Sequence, residues 1–141
     1  MSTVDNTWVL DLEPTIVALV KTRANKLIKT KYPNVNWTTD DTVIKEPVFP
    51  NIYILTSSTE IGKDMIGQDI NGVSFTVQVR ITVSKEQGMS GARFIAGKVM
   101  NEFKNLGFAL DEIPRFEGNT PDTKQLLFRA YRIIGQADIL N

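Results

Sequence analysis

The chain has 141 residues, 42% of them hydrophobic and 23% charged, with sixteen basic side chains against sixteen acidic ones. That is the make-up of one soluble globular domain, long enough to bury about two-thirds of the surface its unfolded form exposes. It contains no Cys and no His, which excludes disulfides, thiolate nucleophiles, the usual zinc sites, and triads of the Ser-His-Asp or Cys-His kind.

Catalysis here would be confined to carboxylates, Lys, Tyr, Ser and Thr. The expectation is a protein that is not an enzyme and holds no cofactor or metal. Balanced charge argues against a whole-surface grip on nucleic acid or an anionic membrane. The longest uncharged apolar runs fall far short of the roughly 20 residues that span a bilayer. Residues 1–11 carry Asp5 and Asp11 and no basic side chain, so they do not read as a secretory signal.

Residues 1–12 read as an arm and 13–141 as a single domain. The arm is polar through Ser2, Thr3, Asp5, Asn6 and Thr7, then apolar at Trp8, Val9 and Leu10. Trp8 is open to two readings: a lid on its own core, or a hook that docks on a neighbouring subunit. A helix is predicted over 13–31. Pro14 suits its first turn, and Ile16, Val17, Val20, Ala24, Leu27 and Ile28 share one stripe. The other positions carry Lys21, Arg23, Lys26, Lys29 and Lys31, with no acid between Pro14 and Thr39. Tyr32-Pro33-Asn34 ends it.

Residues 34–50 read as a long connection in which Val43-Ile44 makes a short strand and Pro47 and Pro50 bar a central strand position. A strand follows over 51–56, apolar on both faces. Residues 57–72 are predicted as a loop punctuated by Gly62, Gly67 and Gly72, with Asn71-Gly72 as a hairpin turn signal. Ile61, Met65, Ile66 and Ile70 give it apolar content. Either the loop folds back as a hairpin tip, or it protrudes and orders against a partner.

The clearest strand covers 73–84. Val73, Phe75, Val77, Val79, Ile81 and Val83 alternate strictly with Ser74, Thr76, Gln78, Arg80, Thr82 and Ser84, which puts one face on a core and leaves the other polar. A second helix is predicted over 90–106, with Ser90 as N-cap and Gly107 just past its end. Ala92, Ile95, Ala96, Val99, Phe103 and Leu106 share its apolar face, and Phe94 points away from that face, toward a covering loop or an interface. Strands follow from 108 to about 113, ended by Ile113-Pro114, and from 124 to 137. The fold class predicted is α+β: an antiparallel sheet of about four strands with two helices packed on one face.

No dinucleotide, P-loop, zinc-protease or EF-hand motif occurs. Gly88-Met89-Ser90-Gly91 reads as a strand-to-helix turn or as a helix N-terminus able to hold an anion. Asp40-Asp41 and Asp111-Glu112 are adjacent carboxylates, and neighbours in sequence usually point apart, so a shared metal is not expected. The basic helix suits a solvated face, an acidic neighbour, or phosphate contacts.

Two stretches carry a family resemblance. One is YPNVNWT followed by PVFPNIYI, at 32–38 and 47–54. The other is TKQLLFRAYRIIGQADI at 123–139, with GKVMNEFKNLGFAL before it. Over roughly 13–139 the chain resembles the tail-terminator, or tail-completion, proteins of tailed phages. The resemblance implies an α+β fold with helices on one face of an antiparallel sheet. It also implies assembly into a ring, often a hexamer, that caps the tail tube and meets the head connector within the virion. The partners it implies are further copies of the chain, the tail-tube protein and the head-completion protein, with genomic DNA passing through the ring unbound and no membrane. A head-closure protein of the neck and a small non-catalytic ligand-binding domain are the other readings. The candidate partner-facing residues are Trp8, Ile61, Met65, Ile66, Lys21, Lys26, Lys29 and Phe94. Asp40, Asp41, Asp64 and Asp69 are the counter-charges that a neighbouring subunit would offer the basic helix.

Overall fold

The alternating stretch at 73–84 becomes the spine of the sheet in a computed structural model of the chain. The structure describes residues 7–39, 48–63 and 70–135, with 60–63, 70 and 71 described by backbone alone. A short 3-10 helix, Thr7–Asp11, leads into α1 (Leu12–Ile28). Then come β1 (Asn36–Thr38), β2 (Asn51–Lys63), β3 (Ile70–Ser84), α2 (Gly88–Asn105), β4 (Ala109–Phe116) and β5 (Thr123–Gly135). The strands form one sheet in the order β1-β2-β3-β5-β4. β1 runs parallel to β2, and the other pairs are antiparallel. The class is α+β with both helices on one face, and the sheet is mixed and five-stranded rather than antiparallel and four-stranded.

The fifth strand is β1, inside the YPNVNWT phrase. It has three residues, too few to show a period. It is held from outside itself: Asn36 Nδ2 donates to Asn51 Oδ1 at 3.2 Å, and Trp37 Nε1 donates to Asn25 Oδ1 of α1 at 3.3 Å. The short strand expected at Val43-Ile44 lies outside the described residues.

A second correction concerns 57–72. All of its described part is strand: β2 runs on to Lys63, and β3 begins at Ile70, with Ser57 opposite Thr76 and Ile61 opposite Gly72. Asn71-Gly72 is therefore strand, not turn. The reason is cooperative: β3 is already fixed by β5 as far as Gly72↔Gly135, so its other edge offers a continuous ladder that Ser57, Ser58 and Thr59 can complete at no cost in side-chain burial. Glycines and polar residues read as loop in isolation, but the partner strand overrides them.

Pro114 likewise does not end β4, which continues to Phe116. β4 is an edge strand, where a proline forfeits no ladder bond. Its pairing with β5 is irregular, with register shifts between Leu110 and Glu112 and between Glu112 and Arg115.

The core lies between helices and sheet. α1 buries Leu12, Ile16, Val20, Ala24 and Ile28 at four-residue spacing. Leu27, assigned to the same stripe by its sequence position, is 41% exposed, and Val17 is half-buried at the margin. All six predicted residues of α2 are buried. So are the six alternating apolar residues of β3 from Val73 to Val83, with Ile52 and Ile54 from β2 and Leu126, Phe128, Ala130 and Ile134 from β5. Phe75, Phe108, Phe103 and Phe128 form a run of edge-to-face contacts with centroids 6.2, 5.2 and 6.5 Å apart in turn, the favoured geometry for aromatic pairs.

The ends of α2 are made locally. Ser84 N donates to Gln87 Oε1 at 2.9 Å and Gln87 N to Ser84 Oγ at 3.3 Å. This reciprocal pair closes the strand-to-helix turn in the manner of a capping box, so the start is set at Ser84 and Gln87, not at Ser90. At the other end Gly107 has φ of 88°. Phe108 N donates to Phe103 O at 3.0 Å and Gly107 N to Lys104 O at 2.9 Å. That is the Schellman pattern, with Phe108 against Phe103 as its hydrophobic contact. Arg132, which faces the helices opposite Phe75, donates from a guanidinium nitrogen to Leu106 O at 2.7 Å and favours the same helix end. Gly107→Ala is therefore expected to destabilise the fold by about 1–2 kcal/mol, the cost of a left-handed backbone with a Cβ. Urea unfolding at constant m-value checks it.

Candidate interaction surfaces

Two helices do not cover five strands. α2 packs on β3 and β5. α1 lies toward the other edge, where Thr56 of β2 donates to its Glu13 at 2.8 Å and Trp37 of β1 reaches its Asn25. Beside α2, over β4 and the adjoining half of β5, the helix layer stops. The gap is an open groove of about 830 Å³. Its floor and walls are Phe103, Phe108, Phe128, Ala130, Met100 and Leu110. A shallower arm of about 370 Å³ continues it past Gly97 and Met100 to Pro114, Phe116 and Leu126.

The groove is apolar, and its rim is basic. Arg93, Lys98 and Lys104 line it, and no carboxylate does among the described residues. Arg93 stands over the Phe116 ring at 5.3 Å and Lys98 over the Phe94 ring at 5.3 Å, so both stems lie along apolar surface with the charge outward. Gly97 sits between them. A Cβ built there meets nothing within 4 Å, so the space above it is open.

The sheet face without helices is a second surface. Cross-strand partners share a face, so Ser74, Thr76, Gln78, Arg80 and Thr82 form its polar centre. Tyr53 and Leu55 flank it on β2, and Leu127, Arg129, Tyr131 and Ile133 on β5. Leu127 is buried, whereas Ile133 is 58% exposed. Arg80 lies over the Tyr53 ring at 6.0 Å.

The outer edge, β4, is guarded by charge. Arg115 donates to Glu112 at 2.6 Å and to Glu117 at 3.0 Å, and Arg129 reaches Asp111 at 3.1 Å. The hydrogen bond and charge of Arg115 hold the Glu112 carboxyl below its ordinary range, and the same contacts raise the guanidinium. All these groups are exposed, so their main effect is on edge pairing rather than stability.

Of the residues singled out from sequence, Trp8 is half-buried and packs against the core from the 3-10 helix. Phe94 is half-buried under the chain that leaves α1. It meets Tyr32 edge-on at 6.0 Å, with Lys31 at 5.0 Å over its ring. Lys21 and Lys26 are exposed on α1, and Lys29 is exposed as its C-cap. The side chain of Ile61, and Met65 and Ile66 entirely, lie outside the described residues, as do Asp40, Asp41, Asp64 and Asp69. The candidates are not brought together: Phe94 borders the groove beside α2, while Trp8 and the lysines belong to the α1 side. The groove itself was missed. Arg93, Lys98, Lys104 and the glycine at 97 were readable as a non-core face of α2, but which edge of the sheet that face overhangs is a matter of topology. Among the described residues no acidic cluster could hold a metal, and no helix is long and apolar enough to cross a membrane.

No family model and no curated protein matches the chain. A solved structure whose name states no function is similar in fold, with a TM-score of 0.57 at 13% identity over 89% of this chain and 99% of that one.

Proposed function

We propose that the chain is a structural assembly protein of a tailed phage, a tail terminator that forms a ring, caps the tail tube and joins it to the head connector. The observation that carries this reading is the combination of the phrases at 32–38, 47–54 and 123–139 with an α+β architecture, two helices on one face of a mostly antiparallel sheet. The surface supports it. A protomer of a ring must present adhesive patches on its flanks, and here an apolar groove opens on one flank while the sheet face beyond the helices is polar at its centre. In this reading the lysines at 21, 26 and 29 meet a neighbouring subunit or line a passage through which DNA slides, so duplex affinity is weak and falls with salt.

The test is to delete the gene in its phage and view the lysate by negative-stain electron microscopy. Tails of uncontrolled length, unattached to filled heads, are expected, with normal length restored by the protein supplied in trans. Tails of normal length beside heads that have lost their DNA would replace this reading with a head-closure protein. Intact virions would reject both.

A further inference from the structure

From the chemistry of the groove beside α2 we infer that its occupant is a second copy of this chain, seated through the turn that starts α1. The inference rests on the ring reading for closure, and supplies the contact that reading leaves open. An apolar groove rimmed by Arg93, Lys98 and Lys104, with no acid among its lining, selects an apolar group carrying carboxylates.

The described surface of the chain offers one such group on another flank. Leu10 is 76% exposed at the end of the 3-10 helix. Asp11 follows it, and Glu13 lies exposed on the next turn. Trp8 and Val9, immediately before Leu10, pack against the core, so the knob is held in place before it docks. The other exposed apolar side chains fit less well: Met89 belongs to the first turn of α2 itself, and Val48 is followed by Phe49, Pro50 and Asn51, none of them acidic. Leu27 stands between Lys26 and Lys29, the wrong sign for a basic rim. Leu110 and Ile113 belong to the groove's own flank, and the acids beside them are paired with Arg115 and Arg129. Tyr131 and Ile133 stand on the helix-free face opposite Thr76 and Ser74, beside Arg129 and with no acid in that stretch of β5.

Knob and groove lie on opposite flanks. Glu13 is tied to β2, the groove overhangs β5 and β4, and β3 separates them in the sheet. A contact between different patches is heterologous: each copy gives its knob to one neighbour and its groove to the other, which generates a ring when the rotation closes. Pro114, the register shifts and the charged pairs of β4 disfavour strand addition, so side chains make the joint.

The chain has no cysteine, which makes the test clean. In a 3-10 helix residues three apart eclipse, so Thr7→Cys places a thiol beside Leu10 without removing it, and Asn101→Cys places one on the groove wall. The two single variants, mixed and treated with a short bis-maleimide, are expected to give a covalent dimer containing one of each. Either variant alone should give none. In parallel, Gly97→Glu fills open space and adds a carboxylate among the rim cations. It is expected to keep or raise the melting temperature and to weaken self-association at least tenfold in light scattering. If the wild type self-associates while the mixed pair fails to cross-link and Gly97→Glu assembles normally, the knob-and-groove joint is wrong and the ring stands. If the wild type does not self-associate at millimolar concentration and the mixed cysteine variants do not cross-link, the joint is wrong and the ring reading loses its support as well.

Discussion

Phe103→Ala is expected to destabilise the protein by about 3–5 kcal/mol, the range for deleting a buried aromatic ring. Phe103 is 1% exposed and lies edge-to-face with both Phe108 and Phe128. Truncation loses the ring's transfer free energy and two aromatic contacts, and leaves a space that its neighbours cannot close. Phe108 is fixed by the Schellman turn after α2, and Phe128 by its pairing with Val79 of β3. Collapse is therefore limited, which puts the cost in the upper part of that range. For a domain of this size the melting temperature should drop by on the order of 10–20 °C. Phe94→Ala is the control: that ring is half-buried against Tyr32 under two lysines, and about 1 kcal/mol is expected. A Phe103 variant that melts within a few degrees of wild type would show that the aromatic run is not the packed centre.

The parts of the fold legible in sequence are those whose residues answer to a nearby period. β3 is a strict alternation, and each of its apolar members from Val73 to Val83 is buried. The apolar face of α2 repeats at helical spacing, and its end is written in Gly107, the position that needs a positive φ. What was not legible depends on partners distant in the chain. β1 exists because β2 offers an edge and α1 offers Asn25 to Trp37. The extension of β2 to Lys63 exists because β3 is long. Topology also decides the surfaces. The sequence shows Arg93, Gly97, Lys98 and Lys104 on the polar side of a helix, which ordinarily means solvent. Only the sheet order, with β4 outside β5, turns that side into the wall of an apolar groove. Leu10 is the converse case: it reads as an anchor in an apolar triplet, yet Trp8 and Val9 pack inward while Leu10 faces out.

The parity of β3 carries the other large effect. Ile81→Ala is expected to cost about 2–5 kcal/mol, as for other buried aliphatics cut back to Ala. Ile81 is fully buried, with Ile52 opposite it on β2 and Leu126 opposite it on β5. Strands on both sides hold its backbone, so the site cannot relax by shifting register: a slip of one residue would turn every side chain of the strand to the wrong face. Three positions earlier the pleat reverses the outcome. Gln78 lies on the helix-free face between Leu55 and Arg129, and Gln78→Ala should stay within about 0.5 kcal/mol of wild type. Paired equilibrium unfolding of the two variants reads the contrast directly, and comparable losses at both positions would mean that the polar face is covered by something. The contrast also has a use. If the helix-free face tolerates substitution at Thr76 and Gln78, then any loss of assembly caused by bulky replacements there measures contact with a partner and not damage to the fold. The same face can then be mapped position by position against the groove beside α2.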